Sequence, residues 1–187
     1  MSSPQPLAEL RGGPLVRAAR DEDMSAVVRI YGHHVRHGLA SFEEAAPDLA
    51  EIMRRRADVV SRGLPYLVAE REGRVLGFAS AGPYRPRPGY RHTVEDSVYV
   101  DESALRQGIG RALLAAVIAR CTELGYRQMV AVIGDSGNAS SIGAHLALGF
   151  REAGRLASVG YKHARWVDIV IMQRALGPGA TTPPERG

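Results

Sequence analysis

The 187-residue chain has one cysteine, Cys121, one lysine, Lys162, and one tryptophan, Trp166. A single thiol cannot close an internal disulfide or build a thiolate zinc cluster. With lysine almost absent, the positive charge is nearly all arginine, scattered along the chain, so the net charge of +4 marks no concentrated basic face. The longest basic run, Arg54-Arg55-Arg56, has no aromatic residues interleaved with it, unlike a stacking platform for nucleic acid. A solvated helix face is the expectation there, with no nucleic-acid partner. No apolar run approaches the ~18 residues of a membrane span. The N-terminus shows no charged segment followed by an apolar one, so no membrane association and a cytoplasmic location are expected.

What is present is enough apolar sequence (45% hydrophobic) for one domain with a proper core. Residues 1–13 and 177–187 are rich in Pro, Gly and small polar types and are expected to be flexible tails, leaving 14–176 as the domain. After a short strand at 15–18, Asp21 can cap a helix with a stripe of Met24, Val27, Val28, Tyr31 and Val35. A second helix after Pro47 has Leu49, Ile52, Met53 and Val60 as its expected inner face. The period then shifts to strands at 66–70 and 75–80 around a Glu72-Gly73 turn, followed by a Pro-, Gly- and Arg-rich loop and a strand at 93–100. The second half alternates: helix 108–124, strand 129–133, helix 140–148, then two more strands. Hairpins first and βαβ units later predict an α/β domain with a mixed sheet flanked by helices.

Two constellations carry chemistry. At 106–111, Arg-Gln-Gly-Ile-Gly-Arg lies where a strand turns into a helix. The helix's first N–H groups have no intrahelical partner, and with the helix dipole they form an anion site suited to a pyrophosphate, flanked by Arg106 and Arg111. The loop fits neither a Walker A motif nor the dinucleotide fingerprint, since Leu113 stands where the third glycine belongs. The other is Asn138-Ala-Ser-Ser141-Ile-Gly-Ala-His145-Leu-Ala-Leu-Gly149-Phe150. Together the two segments resemble motifs of the GNAT N-acetyltransferase superfamily. The stretches 93–100, 130–134 and 160–168, with the His-His-Val segment after Tyr31 and Ser41-Phe42-Glu43, narrow the resemblance to its phosphinothricin and methionine sulfoximine acetyltransferase group. One departure is Leu105, where the superfamily usually has Gln or Arg.

The resemblance implies a GNAT fold whose central strands splay to form a cleft for acetyl-CoA, direct transfer to the α-amine of a small amino-acid analogue, no metal, and a homodimer. It implies that Val98, Tyr99 and Val100 meet the pantetheine arm, that Arg106, Gln107, Gly108, Ile109, Gly110 and Arg111 hold the pyrophosphate, and that Asn138 and Ser141 complete the co-substrate site. Phe42, Tyr84, Arg85, Arg91, Thr93 and Glu95 would line the amine pocket. The catalytic residues would be Glu95, as base (directly or through water) or as substrate anchor, and His145, which could protonate the departing thiolate or orient the amine. An attacking amine must lose its ammonium proton, which suits a carboxylate. The paired histidines His33 and His37 lack a third ligand in the sequence nearby, and Cys121 reads as a buried apolar residue. Two other readings stay open: the same chemistry on a polyamine or protein N-terminus, and a CoA-binding sensor without turnover.

Overall fold

The computed structural model describes residues 13–184. Its strands are β1 (Leu15–Ala18), β2 (Tyr66–Arg71), β3 (Arg74–Pro83), β4 (Thr93–Val100), β5 (Gln128–Gly134), β6 (Arg151–Lys162) and β7 (Arg165–Ala175). They form one sheet in the order β1-β2-β3-β4-β5-β7-β6. All pairings are antiparallel except β4 with β5. The helices are α1 (Met24–His37), α2 (Leu49–Ser61), α3 (Ile109–Glu123) and α4 (Ala139–Ala147). The mixed sheet and flanking helices expected from the sequence are therefore observed. The β2–β3 turn falls at Glu72 and Gly73, both at positive φ, the backbone of a tight hairpin turn.

Two apolar layers sandwich the sheet. On one face Leu113, Val117 and Cys121 of α3 bury against Val94, Met129, Val170 and Met172. On the other, Met24, Val27, Ile30 and Val35 of α1 pack on Val68, Val75 and Phe78. Ile30 belongs to that buried stripe, whereas Val28, expected within it, is only partly buried. The expected inner face of α2 is corrected more sharply. Ile52 is buried, but Leu49, Met53 and Val60 are all exposed. The helix instead presents the line Ile52, Arg56, Val59, with the Arg56 guanidinium donating to the Ala19 carbonyl at 2.6 Å and to Asp21 at 2.6 Å. Asp21 is thus engaged across to α2 rather than capping α1. Asp23 takes the local role, accepting from the Arg20 N–H at 2.7 Å.

The described part of the C-terminal segment makes contacts with the domain. Arg127 donates to the Gly179 carbonyl at 2.8 Å and to the Thr182 carbonyl at 2.6 Å. Most of the expected N-terminal tail, 1–12, and residues 185–187 lie outside the described residues.

The feature that creates a site is where β4 and β5 stop pairing. Their parallel register covers only Thr93↔Gln128, Val94↔Met129 and Glu95↔Val130. Beyond it β5 continues against β7 as far as Gly134, while β4 continues against β3 as far as Val100. From Asp96 onward β4 therefore has no ladder partner on its β5 side, and the strands diverge into a cleft.

Candidate active site

Two adjoining cavities, of about 490 Å³ and about 590 Å³, occupy this divergence. They share the lining residues Ala40, Val98, Tyr99, Gly134, Asn138, Ser141 and His145, so they are two halves of one cleft. The first half adds Tyr31, Ser41, Phe42, Glu43, Glu95 and Asp96; the second adds His34, Val100, Leu105, Arg106 and Gly110.

The second half is built for an extended ligand ending in an anion. Arg106 has φ 60° and Gly108 has φ 79°, left-handed conformations that turn the loop sharply into the first turn of α3. A side chain on Gly110 would meet Val100 Cγ2 at 3.3 Å, so the helix start lies close against β4. The unpaired β4 edge presents its peptide groups toward the same space. His34 Nε2–H donates to the Val100 carbonyl at 2.8 Å, fixing the strand's last peptide. Desolvation lowers the His34 pKa, with the Val100 bond opposing, which favours the neutral ring.

Of the residues expected to hold the co-substrate, Val98, Tyr99, Val100, Arg106, Gly110, Asn138 and Ser141 line the cleft. Asn138 Oδ1 accepts from the Ser141 N–H at 3.2 Å and so caps α4. Gln107 has another role: its side chain accepts from Arg71 at 2.9 Å and donates to the Ser103 carbonyl at 3.1 Å, bracing the loop from outside. Ile109 is buried in the α3 core, leaving only its backbone for a ligand, and Arg111 is exposed off the lining. Gly108 precedes α3 in the open, with no atom within 4 Å of where a Cβ would stand.

In the other half, Glu95 is half-buried. Desolvation raises its pKa, Arg85 opposes that shift and Asp96 adds to it. A carboxylate so placed is a better base than one in water. Arg85 is exposed and lies over the Tyr84 ring at 4.6 Å from its centroid. Arg91 is not brought to the cleft, because its guanidinium turns back to the Pro88 carbonyl at 3.3 Å. Thr93 stands two residues before Glu95 on β4, paired with Gln128 where β4 and β5 still hold together, and does not line either half of the cleft.

The segment carrying Ser41, Phe42 and Glu43 is tied down from three sides. Tyr31 of α1 bonds Ser41 Oγ at 3.0 Å and donates to Glu43 at 2.9 Å; Arg55 of α2 donates to Glu43 at 2.6 Å. From β6, Lys162 Nζ donates to the Ser41 carbonyl at 2.6 Å, with the lysine only 4% exposed. Desolvation lowers the pKa of that ammonium, opposed by Glu43 and Glu44. Phe42 rests on the bare backbone of Gly160, where an added Cβ would sit 2.0 Å from its ring.

His145 is buried, and both ring nitrogens are engaged. Nδ1–H donates to the Ser141 carbonyl at 2.7 Å, and Nε2 faces Asp96 Oδ2 at 3.1 Å. Asp96 is a cleft residue that the sequence does not single out, while Tyr31 enters the sequence reading as a core position and His34, Ser41 and Glu43 as parts of matching segments, none of them with a site role. The parity of β4 contains the signal for Asp96: if Glu95 faces α1, its neighbour must face α4, where His145 lies. Cys121 is buried in α3 with its thiol pKa pushed up to about 12 by desolvation, which removes it as a nucleophile.

With a splayed α/β sheet, a glycine-turned anion loop and a carboxylate at the divergence, the chain can be compared with known proteins. The family model described as Acetyltransferase (GNAT) family matches residues 18–150. The chain belongs to the GNAT acetyltransferase family. It is 56% identical to a phosphinothricin N-acetyltransferase of Alcaligenes faecalis over 170 residues, covering 91% of this chain and 86% of that one. It is 41% identical to an L-methionine sulfoximine/L-methionine sulfone acetyltransferase of Pseudomonas aeruginosa, covering 90% and 98%. Among solved structures it resembles a GNAT phosphinothricin acetyltransferase of Sinorhizobium meliloti in complex with acetyl-CoA, with TM-score 0.91, 43% identity and coverage of 94% and 95%. The GNAT fold and N-acetyltransferase class expected from the motifs are thus established. Among the described residues no cluster of metal-ligating side chains and no helix able to cross a membrane is found. His33 lies 3.4 Å from Glu102 instead.

Proposed function

We propose that this GNAT enzyme transfers the acetyl group of acetyl-CoA directly to the α-amine of a small amino-acid analogue of the phosphinothricin or methionine sulfoximine type. The observation that carries the reading is the half-buried Glu95 at the point where β4 leaves β5, within a cleft whose other half is built for acetyl-CoA. Arg106, the backbone N–H groups of residues 108–111 and the free edge of Val98–Val100 hold the co-substrate. Glu95 takes the ammonium proton, directly or through one water, so that the nitrogen lone pair can attack the thioester carbonyl. Arg85, whose charge reaches Glu95, supplies a planar fork for the oxygens of an amino-acid substrate. Transfer is direct, since the one cysteine is a buried, un-ionised thiol. The names of the relatives supply the substrate class; the arginine-bearing loop beside Glu95 agrees with it better than with a polycationic amine.

The test is free-thiol release from acetyl-CoA with phosphinothricin, methionine sulfoximine, methionine sulfone, glutamate, spermidine and an alanine-terminated peptide in parallel. Turnover with the first three is the expected result. Turnover confined to spermidine or the peptide would overturn the substrate assignment, and acetyl-CoA binding without turnover of any amine would favour the sensor.

The exposed side of the β6–β7 hairpin is where the proposed homodimer would form. It lies at the sheet edge and carries Val159, Tyr161 and Trp166, each more than half exposed. The same hairpin holds the amine pocket through Lys162 and Gly160. Gly160→Ala is expected to push Phe42 off its seat and raise the KM for the amine by about tenfold, on the order of the 1–3 kcal/mol of overpacking. The KM for acetyl-CoA should change by less than about twofold, since that half of the cleft lies elsewhere. Equal changes in both constants would show a general distortion instead.

A further inference from the structure

Helix α4 is shallowly embedded. Of its nine residues only His145 is buried, and Leu146 beside it is 54% exposed. The His145 ring stands edge-on to Phe150, 4.9 Å between centroids, and is engaged at both nitrogens. The Ser141 carbonyl can only accept, so Nδ1 carries a proton. Nε2 stands 3.1 Å from Asp96 Oδ2, and a proton must lie between them, because two lone pairs would otherwise oppose each other. Both N–H groups are thus committed within the protein, and neither faces the cleft.

The bond to Asp96 lies where the cleft begins. The last pair of the β4–β5 register is Glu95↔Val130, so Asp96 is the first residue of β4 without a β5 partner. Its side chain is 2% exposed, its other oxygen is buried without a partner, and among the described residues no arginine or lysine pairs with it. His145 is the partner this carboxylate has. One wall common to both halves of the cleft is Asn138, Ser141 and His145, from the cap and body of α4; Val98 and Tyr99 of β4 form the facing wall. We infer that Asp96 and His145 are positioning residues, a buried clamp that ties the α4 wall to β4 at the divergence and so fixes the width of the acetyl-CoA cleft. The inference rests on the acetyltransferase reading above only for the ligand that fills the cleft.

A clamp has work to do at this point because the backbone ladder that holds β4 to β5 has just ended. A side-chain bond takes over from it, and in a dry interior a bond that shares a proton between ionisable groups is stronger than a neutral one. Burial alone would disfavour the imidazolium, but Asp96 outweighs it and the Ser141 bond adds to the effect, leaving the His145 pKa above its ordinary value. The neighbouring titratable groups are Glu95 on β4 and Cys121 on α3, and the latter stays a neutral thiol. Arg174 of β7 donates to the Leu148 carbonyl and holds the far end of α4. The Asn138 end, which faces the ligand, is capped by its own side chain, so its distance from β4 depends on the clamp. The departing thiolate needs no proton from the ring, since a thiol pKa near ~8.5 lets it leave as the anion and take a proton from solvent.

Asp96→Ala removes the clamp without leaving a buried charge. Calorimetric titration of the full chain with CoA should show Kd raised about tenfold, the scale of one lost buried hydrogen bond. The KM for acetyl-CoA should rise in step, while kcat at saturation, with whichever amine the wild type accepts, should change by less than about threefold. Asp96→Asn is the rescue: its amide can donate to a neutral Nε2, so the bond survives although the ring has lost its charge. Kd for CoA and kcat at pH 8 should then both stay within about threefold of the wild type. In a His145→Ala background, Asp96→Ala should raise Kd no further. An unchanged Kd in Asp96→Ala would overturn the proposal. So would a loss of kcat of about tenfold in Asp96→Asn at unchanged Kd, because the ring's charge rather than its position would then matter. Asp96→Ser, too short to reach Nε2, carries the expectations of the alanine variant should that one fold poorly. If the wild type acetylates none of the amines, the substrate reading fails while the CoA titrations still decide whether the clamp sets the cleft.

Discussion

Glu95→Gln is expected to lower kcat by about two to three orders of magnitude, the usual range for removing a general base, with little change in acetyl-CoA binding. Glutamine keeps the size and one acceptor oxygen of the side chain but cannot take a proton from the ammonium. The same substitution should not destabilise the protein, and the linkage sign explains why. Desolvation raises the folded-state pKa of Glu95 despite the opposing charge of Arg85. The folded state thus prefers the protonated carboxyl, and its contribution is favourable at low pH and lost as pH rises through the folded pKa. At neutral pH the ionised carboxylate is a cost, which glutamine removes. An equal or higher Tm with a collapsed kcat is the expected pairing. The acidic limb of kcat/KM in the wild type should lie above the ordinary carboxylate range and should be absent from the residual activity of Glu95→Gln. Retention of more than about a third of kcat would show that an ordered water or the amine's own ionisation suffices, and Glu95 would then be a substrate anchor.

Local rules made much of this site legible. Glycines at 108 and 110 announced the turn into α3 and its close approach to β4, and the structure has both the left-handed φ at Gly108 and the 3.3 Å constraint at Gly110. Strand parity placed Glu95, Ser97 and Tyr99 on one face, and Tyr99 does pack with Tyr31 and Phe78 on the α1 side. What sequence could not reveal are contacts with no local spacing rule. Lys162 reaches Ser41 across 121 positions, and Asp96 reaches His145 across 49. The exposed α2 residues Leu49, Met53 and Val60 show the related limit. Helical spacing identifies a set of compatible faces, and the Arg56 bonds to Ala19 and Asp21 select among them. Arg91, expected in the amine pocket, donates to the Pro88 carbonyl of its own turn, a contact that residue type alone does not reveal.

Asp101→Ala should produce the largest loss of stability, because one buried carboxylate organises the approach to the pyrophosphate loop. Its side chain is 2% exposed; Oδ1 accepts from the Ser103 N–H at 2.9 Å and from the Ser103 hydroxyl at 2.6 Å, and Arg29 of α1 donates to Oδ2. Arg74 of β3 stands 3.5 Å away. These bonds fold the short 3₁₀ turn Glu102–Ala104, whose Ser103 carbonyl is in turn held by Gln107. Removing the carboxylate frees the turn, and with it the backbone that presents Arg106 and the first N–H groups of α3. Breaking a fully buried pair costs about 3–5 kcal/mol, but Arg29 is half-exposed and regains water, so about 2–3 kcal/mol is the reasonable expectation. For a domain of this size that is a fall in Tm of about 4–10 °C. The KM for acetyl-CoA should rise by about tenfold while kcat at saturation changes little, the reverse of Glu95→Gln. Burial opposes ionisation of Asp101, but the bonds from Ser103 and Arg29 outweigh it and hold the carboxyl well below the usual range. Its contribution is therefore complete above the unfolded pKa of ~3.9 and is lost only as pH falls through the lower folded value. The wild type and the variant should differ in Tm by a constant amount from pH 8 to about pH 5 and converge only in stronger acid. A difference that vanished near neutral pH would mean that the loop is held by some group other than this carboxylate.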